Sequence, residues 1–273
     1  MSIPIPARLL TIAGSDSGGG AGIQADLKTF AAHGVYGMSA ITALTAQNTR
    51  EVRAVLAVPP EMVAAQIDAV FEDIGVDGVK IGMLANAAIV RAVAGRLRVH
   101  LQGRAIPVVL DPVMVAKSGD ALLQDDAVEA ILQDLLPLCT VVTPNLPELA
   151  RLTGLPVATE EERLIAAAEL ATRGAGIAVL AKGGHAEGDE VVDLLLQEGR
   201  VVRYAGARLA AGSSHGTGCT LSSALAARLA AGDSLPRAVE GAIAWLRGAL
   251  AAAYPLGGGT GPVDHLYQWR KEA

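Results

Sequence analysis

Short apolar runs alternate with longer amphipathic segments along almost the whole chain. Residues 8–12 and 38–44 are runs typical of buried strands, and residues 21–33 between them repeat apolar side chains at helical spacing. The same pattern continues, with strands predicted at 52–58, 76–81, 108–110, 140–142 and 177–180 and helices at 60–71, 87–97, 125–135, 160–173, 220–230 and 234–252. Such alternation indicates parallel strands covered by helices. We therefore predict an α/β fold with a mostly parallel central sheet.

Two further features bear on the predicted architecture. Residues 191–196 and 201–204 alternate less regularly and are predicted to form a small antiparallel hairpin at one edge of the sheet, joined through Glu198 and Gly199. The chain has 273 residues, of which 51% are hydrophobic, and no linker or repeat divides it. This length and composition suffice for one large core, so we expect a single domain over residues 1–273.

Composition and charge exclude several classes of protein. The formal net charge is −6, and Arg270-Lys271 is the only adjacent basic pair, which disfavours nucleic acid as a partner. The uncharged residues 29–49 are interrupted by glycine and polar side chains and do not resemble a membrane span, and residues 1–7 do not resemble a secretory signal. Cys139 and Cys219 form no C-x-x-C pair, so neither a disulfide framework nor a zinc site is indicated. We expect a cytoplasmic protein.

Polar and glycine residues follow the predicted strands. Open α/β sheets bind ligands beyond the carboxyl ends of their strands, so these residues are expected to share one cleft. They are Gly14-Ser15-Asp16, Gln47-Asn48, Gly82-Met83, Asp111-Pro112, Asn145 and Lys182-Gly183-Gly184.

A turn at residues 215–220 leads directly into a predicted helix and would join the same cleft. Gly216 and Gly218 let the backbone approach an anion closely, and the first helical turn carries unpaired N–H groups. Cys219 lies within that turn, where a helix N-terminus is expected to lower the pKa of a thiol. The combination indicates phosphoryl transfer, although a glycine before a helix and a small buried cysteine can also be purely structural.

The glycine-rich loop at residues 14–22 does not carry a standard nucleotide motif. Lys28-Thr29 does not directly follow a glycine, so the Walker pattern is absent. Residues 20–25 match the looser G-x-G-x-x-A pattern, but the following strand does not end in the acidic residue that would hold a ribose. We interpret this loop as one that lets the main chain approach a small substrate.

Asp111, Glu148 and Lys182 each have two readings. Asp111 can hold Mg²⁺ through water or occupy a turn. Asn145 and Glu148 are predicted to form a capping arrangement at a helix start, which leaves a metal role for Glu148 open. Lys182 ends a buried strand before two glycines, a position that favours a phosphate contact over a solvated surface role.

The chain resembles the hydroxymethylpyrimidine/phosphomethylpyrimidine kinases of thiamine biosynthesis, within the ribokinase-like superfamily. The resemblance extends from about Leu9 to residues 261–265. It rests on six motifs in order, at residues 13–28, 42–49, 80–84, 111–114, 182–185 and 215–220. It implies a three-layer α/β/α sandwich and ATP-dependent phosphorylation of 4-amino-5-hydroxymethyl-2-methylpyrimidine, then of its monophosphate.

The resemblance also implies roles for individual residues. Gln47 would bind the aminopyrimidine, with one donor and one acceptor in its amide. The other expected substrate-site residues are Gly14, Met83 and Asp26. ATP would be bound by Lys182, Asn145 and Thr217, and Mg²⁺ by Asp111 and Glu148. Cys219 would accept the hydroxyl proton, while the amides around Gly216 and Gly218 stabilise the phosphoryl oxygens.

Other readings remain open on the sequence. A pyridoxal/pyridoxine kinase would share the fold, although Ala116 stands where some pyridoxal-phosphorylating relatives carry a second flap cysteine. Residues 114–121 are expected to form that flap. Ser213-Ser214 departs from the Asn-Thr often found in the family. A non-catalytic ligand-binding module and a redox role for Cys219 with Cys139 are further alternatives. We expect a homodimer.

Overall fold

The computed structural model describes residues 5–114, 125–209 and 213–270. A nine-stranded sheet dominates it. In chain order its strands are β1 (Arg8–Asp16), β2 (Tyr36–Gln47), β3 (Val52–Ala57), β4 (Gly78–Ile81), β5 (Val108–Leu110), β6 (Val141–Val142), β7 (Ala178–Ala181), β8 (Glu190–Gln197) and β9 (Arg200–Ala207). Two short strands, β10 (Ser213–His215) and β11 (Gly261–Pro262), pair with each other in a separate parallel sheet.

The helices connect the strands in the predicted alternation. They are α1 (Gly22–Ala32), α2 (Pro60–Ala69), α3 (Ala87–His100), α4 (Asp125–Ala130), α5 (Leu146–Thr153), α6 (Glu160–Arg173), α7 (Thr217–Ala230) and α8 (Leu235–Ala251). Helices α2 and α4 continue into π-helical turns, Val70–Ile74 and Ile131–Leu135, and short 3₁₀ turns occupy Leu136–Leu138 and Tyr267–Trp269. None of the helices in the described ranges is long and apolar enough to cross a membrane.

Side chains that alternate along the strands form two cores, one on each face of the sheet. In β5, Val108 and Leu110 pack with the helices α2 to α6, whereas Val109 packs with α1, α7 and α8. All three are fully buried, as expected for a strand covered on both faces. The predicted three-layer α/β/α arrangement is therefore confirmed.

The order and direction of the strands determine at which edge of the sheet the predicted cleft lies. The sheet runs β3-β2-β1-β4-β5-β6-β7-β8-β9. Neighbouring strands from β2 to β7 are parallel, so their carboxyl ends meet at one edge of the sheet, while β3, β8 and β9 pair in antiparallel fashion at its two sides. The register between β1 and β2 shifts between Ala13 and Ser15, close to that edge.

Several element boundaries differ from the prediction for local reasons. The edge hairpin is confirmed as β8 and β9, longer than predicted, and it turns through Glu198 and Gly199 with φ of 49° and 73°. Helix α7 begins at Thr217 rather than at residue 220 because Gly216 already provides its N-cap. The β10–β11 pair was not predicted. Of the expected flap at residues 114–121, which includes Ala116, only Met114 lies within the described residues.

Candidate active site

A cavity of about 930 Å³ opens where the parallel strands end. Its volume is in the range of pockets that hold small organic ligands. The loops after β1, β4, β5 and β7 and the first turns of α5 and α7 form its walls. The predicted site residues that line it are Gly14, Gln47, Met83, Asp111, Asn145, Glu148, Lys182, Gly216, Thr217, Gly218 and Cys219. The structure thus brings together every predicted site residue except Asp26.

The glycine-rich loop is held by Asp16, a residue to which the sequence analysis assigned no role. Its carboxylate accepts hydrogen bonds from the backbone N–H groups of Gly18 (2.7 Å), Gly20 (3.0 Å) and Ala21 (2.8 Å). Burial raises the pKa of Asp16, but these bonds and the His215 ring outweigh it and hold that pKa below its usual range. The loop is therefore shaped around one buried, ionised carboxylate.

The first turn of α7 packs directly on this loop. Gly216 has φ of 77°, and a Cβ atom there would lie 1.8 Å from the carbonyl oxygen of Gly20. Only glycine fits this close approach. Thr217 follows, and its hydroxyl donates to the Ser214 carbonyl at 2.7 Å. The amides of the turn begin a helix and so lack intrahelical partners, which makes this end of the cavity suited to an anion.

Lys182 and Asp111 form an ion pair at the floor of the cavity. Lys182 Nζ lies 2.7 Å from Asp111 Oδ1, and the Asp111 carboxylate is almost fully buried. Burial opposes both charges, yet the attraction between them lowers the pKa of Asp111 and, together with Glu148, raises that of Lys182. A Cβ atom on Gly218 would lie 3.4 Å from both Lys182 Nζ and Asp111 Oδ2, so the start of α7 touches this pair.

The predicted capping arrangement at Asn145 and Glu148 is confirmed. The Asn145 side chain accepts from the Glu148 N–H at 2.9 Å, and Glu148 Oε2 accepts from the Asn145 N–H at 2.8 Å. Burial, joined by the nearby charge of Asp111, raises the pKa of Glu148 to about 7, although Lys182 and the Asn145 bonds act in the other direction. Glu148 is therefore both a helix cap and a carboxylate destabilised by burial beside a second one.

This pair of carboxylates fits a magnesium ion. Within the described ranges, no group of three or more histidine, cysteine, aspartate or glutamate side chains could form an all-protein metal cage. Mg²⁺ is usually held by one or two carboxylates together with water and substrate phosphates. Asp111 and Glu148 meet that requirement, and a divalent cation would offset both the burial and the repulsion from Asp111 that raise the pKa of Glu148.

The expected lowering of the Cys219 pKa is wrong. Cys219 lines the cavity, but the protein packed around the thiol raises its pKa to about 11. Lys80 and the Gly22 N–H lower this pKa, while the carboxylates of Asp26 and Asp111 raise it further. Desolvation therefore outweighs the groups that favour the thiolate, and the resting group is a thiol.

Asp26 lies behind the cavity wall rather than on it. It is fully buried and accepts hydrogen bonds from Thr11 Oγ1 at 2.6 Å and Ser223 Oγ at 2.7 Å. Lys80 Nζ pairs with its two oxygens at 2.9 and 3.0 Å. Lys80 itself lines the cavity, although it is also fully buried, and sequence reasoning missed its role. The signal was a lysine inside a short apolar strand.

Gly14 and Met83 meet at the opposite wall. A Cβ atom on Gly14 would lie 2.9 Å from Met83 Sδ, so the loop after β1 packs closely on this side chain. Thr42 fixes the Met83 backbone through a 2.6 Å hydrogen bond from its hydroxyl to the Met83 carbonyl. This wall is apolar and suited to contact with a ring.

The sequence analysis also missed residues beside Lys182. Asp193 is buried, lines the cavity and accepts from the Gly183 N–H at 2.7 Å, and burial raises its pKa. Arg208 donates to the Gly184 and Gly188 carbonyls at 2.9 and 2.8 Å and lines the same part of the cavity. Both belong to the β8–β9 region, whose weak pattern held no functional signal.

Comparison with known proteins places this geometry in a family. The family model described as phosphomethylpyrimidine kinase matches residues 16–264. The chain belongs to the phosphomethylpyrimidine kinase family. A hydroxymethylpyrimidine/phosphomethylpyrimidine kinase of Rhizobium meliloti is 53% identical over 265 residues, which cover 96% of this chain and 98% of the relative. The enzyme of the same name from Escherichia coli is 50% identical over 264 residues, 95% of this chain and 97% of the relative.

Solved structures of relatives agree with this family assignment. A phosphomethylpyrimidine kinase from Clostridium difficile has a TM-score of 0.77 and 41% identity, covering 88% of this chain and 98% of its own. A pyridoxal kinase from Staphylococcus aureus, in complex with AMP-PCP and pyridoxal, has a TM-score of 0.89 at 34% identity, covering 98% of this chain and 97% of its own. The ribokinase-like fold predicted from the sequence is therefore confirmed.

Proposed function

We propose that this protein transfers the γ-phosphoryl group of ATP to the hydroxymethyl oxygen of 4-amino-5-hydroxymethyl-2-methylpyrimidine, and then to the resulting monophosphate, in thiamine biosynthesis. The observation that carries the proposal is one cavity that joins the N-terminus of helix α7, which is suited to an anion, and a buried Lys182–Asp111 pair to a wall suited to a small ring. Membership of the phosphomethylpyrimidine kinase family supports the choice of acceptor.

The polar end of the cavity is proposed to bind the triphosphate. Lys182 carries the positive charge there, and the amides from Gly216 to Cys219 would stabilise negative charge on the transferred oxygens, where most catalysis of phosphoryl transfer lies. Asn145 and Thr217 line the same region. Asp111 and Glu148 would hold Mg²⁺, which when bound neutralises phosphate charge.

The acceptor is proposed to lie between Met83, Gly14 and Gln47, with its hydroxymethyl group toward Cys219. Cys219 would remove the hydroxyl proton, which requires its thiolate form. Because the pKa of Cys219 is about 11, only a small fraction of the enzyme carries that thiolate near neutral pH. Positioning and the helix amides are therefore expected to supply most of the rate acceleration. Asp26 would act on the acceptor only through Lys80 and the packing beneath it.

A coupled ADP-release assay tests the reaction. The hydroxymethylpyrimidine and its monophosphate are supplied separately, each with ATP and Mg²⁺, and phosphorylation of both is expected. Pyridoxal is included as an acceptor because the pyridoxal kinase of S. aureus has the same fold at 34% identity. A higher kcat/KM for pyridoxal than for the hydroxymethylpyrimidine would contradict the proposed acceptor, and no turnover with any of the three would contradict the kinase activity.

Cellular location and assembly belong to the same proposal. We propose that the enzyme works in the cytoplasm as a homodimer, on small-molecule substrates and without nucleic acid or membrane partners. The acidic net charge supports the exclusion of nucleic acid. Cell fractionation checks the location, and light scattering checks the dimer.

A further inference from the structure

The side-chain amide of Gln47 lies beside His215 and Thr45, whose hydrogen positions can be assigned from their other hydrogen-bond partners. Its Nε2 is 3.3 Å from His215 Nε2, and its Oε1 is 3.2 Å from Thr45 Oγ1. His215 Nε2 is also 3.0 Å from Asp16 Oδ2, and Thr45 Oγ1 is 2.9 Å from the Ser15 carbonyl oxygen. The amide can fill this space in two orientations, related by a half turn that exchanges its oxygen and nitrogen.

The hydrogen at His215 Nε2 is fixed by Asp16. The Asp16 carboxylate already accepts from three backbone N–H groups and offers only lone pairs, so the ring nitrogen that faces it must carry a hydrogen. Nε2 is then a donor. It cannot also accept a hydrogen bond from an NH₂ group of Gln47.

The hydrogen at Thr45 is fixed in the same way. A hydroxyl has one hydrogen, and the Ser15 carbonyl oxygen, which is closer than the Gln47 amide, can only accept it. Thr45 Oγ1 therefore presents a lone pair to Gln47. In the orientation with Nε2 toward His215 and Oε1 toward Thr45, the NH₂ group of Gln47 would face the N–H of His215, so two donors would meet. The Gln47 oxygen would face the lone pair of Thr45 Oγ1, so two acceptors would meet.

From this count we infer that His215 and Thr45 hold the Gln47 amide in the half-turned orientation, and that they thereby set which ring the enzyme accepts. Oε1 then accepts from His215 Nε2–H, which it shares with Asp16, and the amide NH₂ donates to Thr45 Oγ1. Every hydrogen that these side chains direct at one another then has an acceptor. His215 and Thr45 are positioning residues in this arrangement, since they act through Gln47.

The glycine-rich loop holds the His215 ring in place. A Cβ atom on Gly20 would lie too close to His215 Cδ2, at 2.4 Å, and 3.3 Å from a carbon of Pro262, so the ring lies directly against the glycine-rich loop. Asp16, which orients the ring, is held by the amides of that same loop. The orientation of the Gln47 amide therefore follows from the loop.

The consequence for the substrate rests on the proposed function. The locked amide has one lone pair of Oε1 and one hydrogen of Nε2 left for a ligand. These match a ring edge with an amine beside an unprotonated nitrogen, as in the aminopyrimidine. The corresponding 4-oxo pyrimidine has a carbonyl beside an N–H, which reverses the donor and acceptor. That ring cannot turn over to compensate, because its hydroxymethyl group must face the phosphoryl donor.

Selectivity between these two rings tests whether His215 and Thr45 fix the orientation of the Gln47 amide. The measured quantity is the ratio of kcat/KM for the 4-amino substrate to kcat/KM for its 4-oxo analogue. Thr45→Val removes the lone pair that holds the NH₂ group of Gln47, so this variant is expected to lower the ratio at least about tenfold. Thr45→Ser keeps that lone pair and is expected to retain the wild-type ratio. His215→Phe keeps a ring against Gly20 but loses the N–H donor, and it should lower the ratio similarly, chiefly through KM.

The outcomes separate this inference from the proposed function. If the ratios for Thr45→Val and His215→Phe stay within about twofold of the wild-type ratio, the inference that these residues fix the Gln47 amide is wrong. If His215→Phe does not fold, the two Thr45 variants decide. If the wild-type enzyme phosphorylates neither ring, the proposed function fails, and calorimetric dissociation constants for the two pyrimidines then measure the same ratio without phosphoryl transfer.

Discussion

At the scale of single residues, position and ionisation make separate contributions to the site. The sequence put Cys219 in the correct place, because the glycines around it and the helix after it mark the turn. It could not predict the pKa, because desolvation depends on what packs around the thiol. Asp26 and Lys80 show the same limit, since no local pattern reveals that they pair across 54 residues of chain.

The raised pKa of Cys219 predicts a specific pH dependence. If its thiolate is the base, kcat/KM rises with pH, because a group with a pKa of about 11 is mostly protonated below that pH. Between pH 8 and 10, above the titration of Glu148, the rise is expected to approach tenfold per unit. Rate measurements on the hydroxymethylpyrimidine over this range check it.

Cys219→Ala is the matched variant for this profile. It is expected to lose the rise with pH and to react more slowly than the wild-type enzyme throughout. Near-normal turnover of the alanine variant, with its fold intact by circular dichroism, would rule out the base role and leave the helix amides and Lys182 as the catalytic groups.

The buried pair of Lys80 and Asp26 is expected to act on both stability and rate. Lys80→Met leaves the Asp26 carboxylate fully buried without its counterion, which is expected to cost ~3–5 kcal/mol of unfolding free energy. The substitution also removes the positive charge that lowers the pKa of Cys219. Urea unfolding measures the loss of stability, and steady-state kinetics measure kcat, which is expected to fall.

A double variant separates charge from folding in this pair. Asp26→Asn combined with Lys80→Met removes both charges. The asparagine oxygen accepts from one of the two hydroxyls, Thr11 or Ser223, and its NH₂ group faces the other, whose oxygen can accept from it. The double variant is expected to recover stability relative to Lys80→Met while kcat stays low. Recovery of the wild-type kcat would show that Lys80 serves the fold alone.

At the scale of elements, predictability followed the strength of the local signal. Residues 108–110 were predicted with their observed bounds because this run of two valines and a leucine is followed directly by Asp111. The Asn145 cap was predictable because its partners lie within one turn. Strands β10 and β11 were not, since each has two or three residues and they pair across nearly fifty positions.

The contact between the glycine-rich loop and α7 is expected to be sensitive to one added methyl group. Gly216→Ala places a Cβ atom 1.8 Å from the Gly20 carbonyl oxygen and requires a left-handed alanine. We expect more than about 2 kcal/mol of destabilisation, since the conformational term alone is ~1–2 kcal/mol. A large loss of kcat should accompany it, because the helix amides move.

Gly34→Ala is the control for this element. Gly34 has φ of 70°, and among the described residues no atom beyond its chain neighbours lies within 4 Å of the place that an added methyl group would take. The substitution therefore carries the conformational cost without the contact. It should lower the unfolding free energy by ~1–2 kcal/mol and leave the kinetics unchanged. Equal effects of the two substitutions on kcat would contradict a role for the loop contact.

At the scale of the whole molecule, the sheet exposes an apolar face at its β3 side. Leu44 on β2 is paired in register with Leu56 on the edge strand β3, and their side chains are 47% and 67% exposed. Ala46 and Ala54 form the next outward pair along the same face and are also exposed. An apolar edge of this kind favours association and is commonly covered in the working protein.

We predict that a second copy of the chain covers this face in the proposed homodimer. Leu56→Glu introduces a charge at its most exposed leucine and is expected to give a monomer by light scattering, since burying an unpaired carboxylate opposes association. Val201→Glu is the control, because Val201 is 47% exposed on β9 at the far side of the sheet. A dimer that survives Leu56→Glu but dissociates with Val201→Glu would place the interface on the β9 side instead.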